Sequence, residues 1–524
     1  MAIIRGNDLN NALGGTDVAD TILGFDGDDV LTGQAANDAL FGGFGDDSLL
    51  GGDGNDRLFG DAGDDDIFGG NGSDQLFAGR SVGSDFLFGG NGADTLMASE
   101  GFDFLDGGQG NDTLIGVSPD TGWTTAIGFS FGLRGVTVNL AAGFAIDEYG
   151  TRDTLRNIRD IDATDRSDNL VGDANDNFFT AYEGNDRITG GAGRDEVNYD
   201  TSGGIQGIFA NLFTGVVTDN YGFTDRLSSI EMIRATGFTD RIIGGTADET
   251  FRAYAGDDIV NGGAGFDEIW YDLDLESGGF RGVEVNLAGG FAVDASGDLD
   301  SIVNIEGARG TALTDRLTGD GFANRLDGGF GIDRIVGGGG NDTLIGGQGN
   351  DVMHGGSGID TASYAEEAAA GASLGVDVRL NTQLAFDGFL NRDRLISIEN
   401  AIGSEFDDRL LGSSEANTLS GGDGLDNIRG GGGNDLIEGG GGTDRLFGEQ
   451  GTDSFRFTDG FELDRIEDFS TDEILDFSNH SRVLALSDLR VLQSGDVLRI
   501  DAGGDTLLIL NTDAADLSAA NYIF

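Results

Sequence analysis

The residues with chemistry to offer in this chain are aspartates, and they return at every ninth position. Laid out in nines from Gly6, the sequence falls into units such as GGFGDDSLL (42–50), GGDGNDRLF (51–59) and GGNGSDQLF (69–77). Twelve units run from Gly6 to Ile115, with a two-residue insertion near Ser81. Blocks of four, four, six and six units start at Ala163, Ala235, Gly310 and Gly403. Position six is aspartate in 27 of the 32 units, the exceptions being Asn11, Asn177, Glu249, Asn324 and Asn417. A carboxylate beside glycines suits a hard cation. Calcium takes six to eight oxygens, and glycine lets backbone carbonyls approach an ion closely enough to supply most of them. The expected metal ligands are Asp20, Asp29, Asp38, Asp47, Asp56, Asp65, Asp74, Asp85, Asp94, Asp103 and Asp112 in the long array. Asp168, Asp186, Asp195, Asp240, Asp258 and Asp267 follow in the two short blocks. The last two blocks add Asp315, Asp333, Asp342, Asp351, Asp360, Asp408, Asp426, Asp435, Asp444 and Asp453.

No other group offers competing chemistry. The two histidines, His354 and His480, lie outside any HExxH motif, so a zinc protease is not expected. The chain has no lysine, which rules out a P-loop. One GxSxG match, Gly79 to Gly83, falls in a repeat loop where no strand–turn–helix elbow is expected. Acidic pairs are too common here to mark a glycosidase. The expectation is that the protein is not an enzyme.

The scaffold shows in position eight, which is apolar in all 32 units, from Leu13 through Leu58 and Leu344 to Phe455. Six residues then make a glycine-rich turn and three a short strand whose middle side chain points inward. The composition demands such a partnership with metal. The chain has 524 residues, 93 acidic against 30 basic, a formal charge of -63, 95 glycines, one proline and no cysteine. That charge excludes nucleic acid as a partner and opposes compaction unless cations neutralise it. Yet 38% of residues are hydrophobic, which sets the chain apart from a disordered acidic polymer. No signal peptide is visible in MAIIRGNDLN, and no stretch approaches a membrane span.

The units resemble the RTX, or hemolysin-type calcium-binding, repeat GGxGxDxUx. The resemblance implies an all-β, right-handed parallel β-roll solenoid. Two units would make one turn, with calcium between adjacent loops. Serralysin-like enzymes carry such arrays, but the protease half has no counterpart here.

Between arrays a second motif recurs: GVTVNL (135–140), GIFANL (207–212), GVEVNL (282–287) and GVDVRL (375–380). From its glycine to a following aspartate (Asp153, Asp225, Asp300, Asp393) is 18 residues in every copy. Eighteen residues equal one turn of the roll, so these segments are expected to continue the solenoid by a full turn each. The four later arrays break the aspartate rule at their second unit, and those junctions are expected to bind calcium weakly or not at all. After Phe457 a β-hairpin turning at Gly503 and Gly504 is expected, within a C-terminal β cap that resembles the uncleaved signal of type I secretion substrates.

The expected organisation is a long array (1–115), then linker-plus-array modules 116–200, 201–272, 273–364 and 365–456, then cap and secretion signal (457–524). The expected function is a secreted, extracellular or cell-surface protein that folds on calcium and serves a structural role. Two alternatives are a carbohydrate-binding module protein, like the repeat parts of alginate epimerases, and an enzyme of unrecognised type. Self-association or a cell-surface polysaccharide are the expected partners besides calcium. Apolar residues at position nine (Leu23, Phe41, Phe59, Phe77, Met97, Ile115) predict an outward stripe. Residues 116–134, with Trp123, Phe129 and Phe131, or a second molecule would dock there.

Overall fold

The computed structural model describes residues 2–79, 82–118, 124–129, 134–201 and 203–524. Its contacts divide the chain into two compact units, Met1–Ala253 with Gly263–Gly265, and Tyr254–Gly262 with Phe266–Phe524. Each is an all-β parallel solenoid.

In the first unit the nine-residue step sends successive strands to two sheets in turn. Ala39–Phe44 pairs in parallel with Arg57–Ala62, Leu40 opposite Leu58. On the other sheet Ser48–Asp53 pairs with Asp66–Asn71, Leu49 opposite Ile67. Partners are 18 residues apart, so two units make one coil. Position-eight residues form the core: Ile22, Leu31, Leu40, Leu49, Leu58 and Ile67 are all 0% exposed. One buried aliphatic per nine residues is a thin core against backbone entropy of roughly 1–2 kcal/mol per residue. The insertion near Ser81 lengthens the local step to 20, with Leu87 opposite Ile67 and Leu96 opposite Leu76. Arg80 and Ser81, and with them the GxSxG serine, lie outside the described residues.

The strands are longer than the expected three residues in the densest arrays. Ala39–Phe44 includes positions one to three of the next unit, because glycines there let stacked backbones keep their ladder. Gly27 N–H reaches the Phe44 carbonyl at 2.7 Å and Gly45 N–H that of Ala62 at 2.8 Å. The second unit repeats the pattern, with Ile335 opposite Met353 and Leu419 opposite Ile437.

The linking segments join the stack, but not by a full turn. In each, three strands run up, down and up within one sheet. Thr137–Asn139 is antiparallel to Phe144–Ile146, which is antiparallel to Arg152–Arg156. The first of these then pairs in parallel with Asn169–Val171 and the last with Thr113–Ile115. The same meander recurs at Phe209–Asn211, at Glu284–Asn286 and at Asp377–Arg379. Eighteen residues are three short arms, not one circuit. Two tight turns make this route, each with a residue at positive φ: Gly143 and Gly150, Gly215 and Gly222, Gly290 and Gly297, then Gln383 and Leu390. In the later three inserts the opposite sheet receives a single strand, as where Glu268–Trp270 pairs directly with Gly307–Arg309.

Toward the C-terminus, Val497–Ala502 and Asp505–Leu510 form the expected hairpin with Gly503 and Gly504 at positive φ. The second arm pairs in parallel with Leu463–Ile466, and Tyr522–Ile523 joins Ile474–Asp476. Position nine carries the expected stripe as a stack of rings. Phe41, Phe59 and Phe77 lie parallel with centroids 4.8 and 4.7 Å apart, and Phe68 stacks on Phe88 on the other sheet. Trp123 and Phe131 lie outside the described residues.

Candidate metal centres

The loop chemistry is built from glycine upward. A Cβ placed on Gly60, at position one, would lie 2.2 Å from Asp65 Oδ2 and 2.6 Å from the Ala78 carbonyl oxygen. On Gly42 it would meet Asp47 Oδ2 at 2.1 Å and the Gly60 carbonyl oxygen at 2.7 Å. Glycine thus leaves a small cradle where a position-six carboxylate and a carbonyl of the next coil converge. Positions two and four hold positive φ, as at Gly43 and Gly45.

The position-six aspartates form a ladder. Each N–H donates to the Oδ1 of the aspartate one coil on: Asp29 to Asp47 at 2.7 Å, Asp38 to Asp56 at 2.7 Å, Asp47 to Asp65 at 2.8 Å. One oxygen is thereby satisfied. The other, on Asp29, Asp38, Asp47, Asp56, Asp65 and Asp74, is buried with no hydrogen-bond partner. A bare buried carboxylate oxygen is unfavourable unless a cation meets it. These oxygens and the adjacent carbonyls are the hard donors that calcium takes. No three carboxylate or imidazole side chains converge on one point among the described residues, so carbonyls must supply much of each shell.

Burial sets the electrostatics. It pushes Asp47 up to about 7, Asp65 and Asp112 to about 8 and Asp333 to about 9, with neighbouring aspartates adding to the rise and backbone N–H donors opposing it. Carboxyls raised in this way favour the metal-free fold only while protonated, a contribution lost as pH climbs from about 4 through 7–9. Metal-free chain should therefore hold more β signal in circular dichroism at pH 5 than at pH 8. With calcium present the order should reverse, since protons then compete with the ion. More metal-free structure at pH 8 would mean that these carboxyls are not held in a desolvated row.

The 27 expected ligands are not equivalent. Where position two is threonine or serine, its hydroxyl bonds the position-six carboxylate and its N–H donates to Oδ2, the oxygen left bare elsewhere. Thr16 Oγ1 donates to Asp20 Oδ2 at 2.7 Å, Thr164 Oγ1 to Asp168 at 3.0 Å, Thr311 Oγ1 to Asp315 at 3.1 Å and Ser404 Oγ to Asp408 at 2.9 Å. Thr236 does the same for Asp240, while Ser99 donates its hydroxyl to Asp85 Oδ2 and its N–H to Asp103 Oδ2. This signal lies in the sequence, at the head of every later array, and sequence reasoning passed over it. In the second units, Asn177 Nδ2 donates to the Arg159 carbonyl at 3.1 Å and Asn324 Nδ2 to that of Glu306 at 3.1 Å. There the amide nitrogen takes the place of the ladder oxygen, and Oδ1, beside the position-one glycine, accepts from the Asp173 or Asp320 N–H at 2.8 or 2.7 Å.

The ladder also recruits residues missed from sequence. Asp153, Asp225, Asp300 and Asp393 accept from Asp112, Asp186, Asp258 and Asp351 at 2.8–3.1 Å. Glu231, Glu306 and Glu399 accept from Asp195, Asp267 and Asp360 at 2.9–3.0 Å. Each sits one coil beyond an array and continues its row.

A graded mutational result follows. Asp56→Ala removes a half-satisfied carboxylate and should weaken calcium binding in its neighbourhood about tenfold or more. Asn177→Ala should change it less than twofold, because that loop has no carboxylate to lose and its amide oxygen is already hydrogen-bonded. Equal losses in calorimetric titration would remove position six from the ligand set.

Of the histidines, His480 is buried with Nδ1 2.7 Å from Asp459, and His354 is half-buried at position nine of its unit. No helix among the described residues is long and apolar enough to cross a membrane.

Comparison with known proteins agrees with this architecture. No curated protein matches the chain. Among solved structures, the extracellular lipase LipA from Serratia marcescens matches at 18% identity with a TM-score of 0.21, over 40% of each chain. A likeness that slight carries no argument, and the matched part is under half of the lipase. The profile of the RTX calcium-binding nonapeptide repeat (4 copies) matches residues 14–49, 41–76, 81–117, 162–197, 234–269, 327–362, 402–435 and 421–455. These spans cover half the chain and coincide with the arrays whose aspartates form the ladder, so the chain belongs to the RTX calcium-binding repeat family.

Proposed function

We propose that this protein is a secreted, calcium-loaded structural element that folds once it meets calcium outside the cell. The row of buried aspartates, each with one oxygen hydrogen-bonded and one bare, carries the reading. Extracellular calcium modules bind at roughly 0.1–1 mM, so such loops stay empty in a calcium-poor cytoplasm and fill after export. The family supports export by a type I system, with residues 457–524 as signal and cap. A surface-layer-like role suits a chain that is nearly all repeat. Cell fractionation and electron microscopy of the native surface test this. Chain at the surface or in the medium, shed from the surface by chelator, is the expected result, and chain confined to the cytoplasm overturns it.

A polysaccharide-binding role is the second reading. It is favoured by a cavity of about 380 Å³ in the second unit, lined by Arg309, Asp327, Phe330 and Glu366 among others. Binding on a glycan array that is lost in Arg309→Ala would select it over a purely structural role.

A further inference from the structure

The four inserts hold buried oxygens that the repeat loops do not explain. The second turn of each insert opens on an aspartate (Asp147, Asp219, Asp294 or Asp387) whose N–H bonds the carbonyl four residues on. One of its oxygens accepts from the turn backbone, as Asp294 Oδ1 does from Ser296, Gly297 and Asp298 N–H at 2.6–2.9 Å. Six residues later stands Asp153, Asp225, Asp300 or Asp393, on the next antiparallel strand. It faces the residue two before the turn aspartate: Ala145, Val217, Ala292 or Ala385. The two aspartates are therefore diagonal neighbours on one face, with Cβ atoms about 7 Å apart. In the last three inserts the strand aspartate is already satisfied, Oδ1 by the ladder N–H and Oδ2 by the hydroxyl of Tyr199, Tyr271 or Tyr364 at 2.9–3.1 Å. All eight aspartates are at most 4% exposed.

A third side-chain oxygen accompanies each pair, and its source changes between inserts. In the first two it belongs to the residue after the turn aspartate, Glu148 or Asn220. In the last two that residue is Ala295 or Gly388, which has none. Its N–H is then taken by a carboxylate from another segment, Asp274 at 3.3 Å or Glu367 at 2.6 Å. Each of these four side chains is at most 4% exposed. Each leaves one buried oxygen without a hydrogen bond: Glu148 Oε1, Asn220 Oδ1, Asp274 Oδ1 and Glu367 Oε1. Asp219 Oδ2 and Asp294 Oδ2 are bare as well. Packing alone gives no reason for a missing oxygen to be supplied from a different part of the chain. A cation does.

The geometry points to a second class of calcium site, one in each insert, held by the turn aspartate and the third oxygen beside it. Carbonyls and water must complete the shell, since no three carboxylate or imidazole side chains converge on one point among the described residues. The second insert, with Asn220 in place of a carboxylate, binds most weakly. Only the identity of the ion rests on the proposed function.

Crystals of the full chain grown in calcium test this without mutation. Anomalous difference peaks are expected beside Asp274 Oδ1 and Asp294 Oδ2 and beside Glu367 Oε1, apart from those in the repeat loops. Peaks in the loops with none in any insert overturn the inference and leave the proposed function standing. No peaks anywhere overturn both. In solution, the double variant Asp294→Asn, Asp387→Asn should bind two fewer calcium ions per chain in equilibrium dialysis, and an unchanged count counts against the insert sites.

Discussion

In excess chelator the full chain is expected to lose most of its β circular dichroism and to regain it cooperatively as calcium is added. Position six packs one carboxylate per unit into a buried row, and neighbouring coils bring like charges together. Without metal the row must either take up protons or repel itself, on a chain whose formal charge is already -63. The core cannot compensate, because each repeat unit turns little more than its position-eight side chain into the apolar interior. An ion bound at a thousand times its dissociation constant stabilises the fold by about 4 kcal/mol, and many junctions add such terms. Loss of signal should be steep because each ion joins two coils. A chain equally folded with and without calcium would contradict this account of the ladder.

The second large effect is expected from Gly60→Ala. The new methyl would sit 2.2 Å from Asp65 Oδ2 and 2.6 Å from the Ala78 carbonyl oxygen, inside the space proposed for the ion. The carboxylate can swing away and the backbone can shift, but either movement takes a ligand out of place. Calcium affinity at that junction should fall by at least tenfold, and the calcium midpoint for folding should rise. Gly237→Ala is the matched control, since a Cβ there meets nothing within 4 Å. Comparable loss in both variants, read by calorimetry and circular dichroism, would show that position one holds no ion cradle.

Much of this architecture was legible in the residues. Leu40, Leu49 and Leu58 recur at nine, and only a two-sheet coil buries all three. Gly503 and Gly504 marked the hairpin correctly. The inserts were misread because spacing is blind to path. From Gly135 to Asp153 the chain covers the length of one circuit, yet three short arms in a single sheet use the same number of residues. Gly143 and Gly150, seven apart, were the available clue to two tight turns, but Gln383 and Leu390 take the same conformation in the fourth copy and blur it. In the loops, aspartate spacing located the row but not each partner. Whether an oxygen stays bare depends on position two, where Thr164 closes Asp168 and glycine at Gly43 leaves Asp47 open. That distinction needs the side-chain geometry, because a hydroxyl four residues from a carboxylate bonds to it only if the turn folds back.

Because every residue meets its counterpart eighteen places on, a whole coil is an interchangeable part. Excising residues 42–59 would set Leu40 against Leu76 and bring the Asp38 N–H to the Asp74 carboxylate, the same kinds of pairing as now. Excising nine residues would send every later strand to the opposite sheet. Gene segments encoding such a chain can thus duplicate or drop out in steps of one coil, each about 4.8 Å of stack, without redesign of what remains. The inserts are the exception, since their three-stranded meanders give one sheet strands that the other lacks. They act as fixed landmarks between stretches whose number of coils is free to vary.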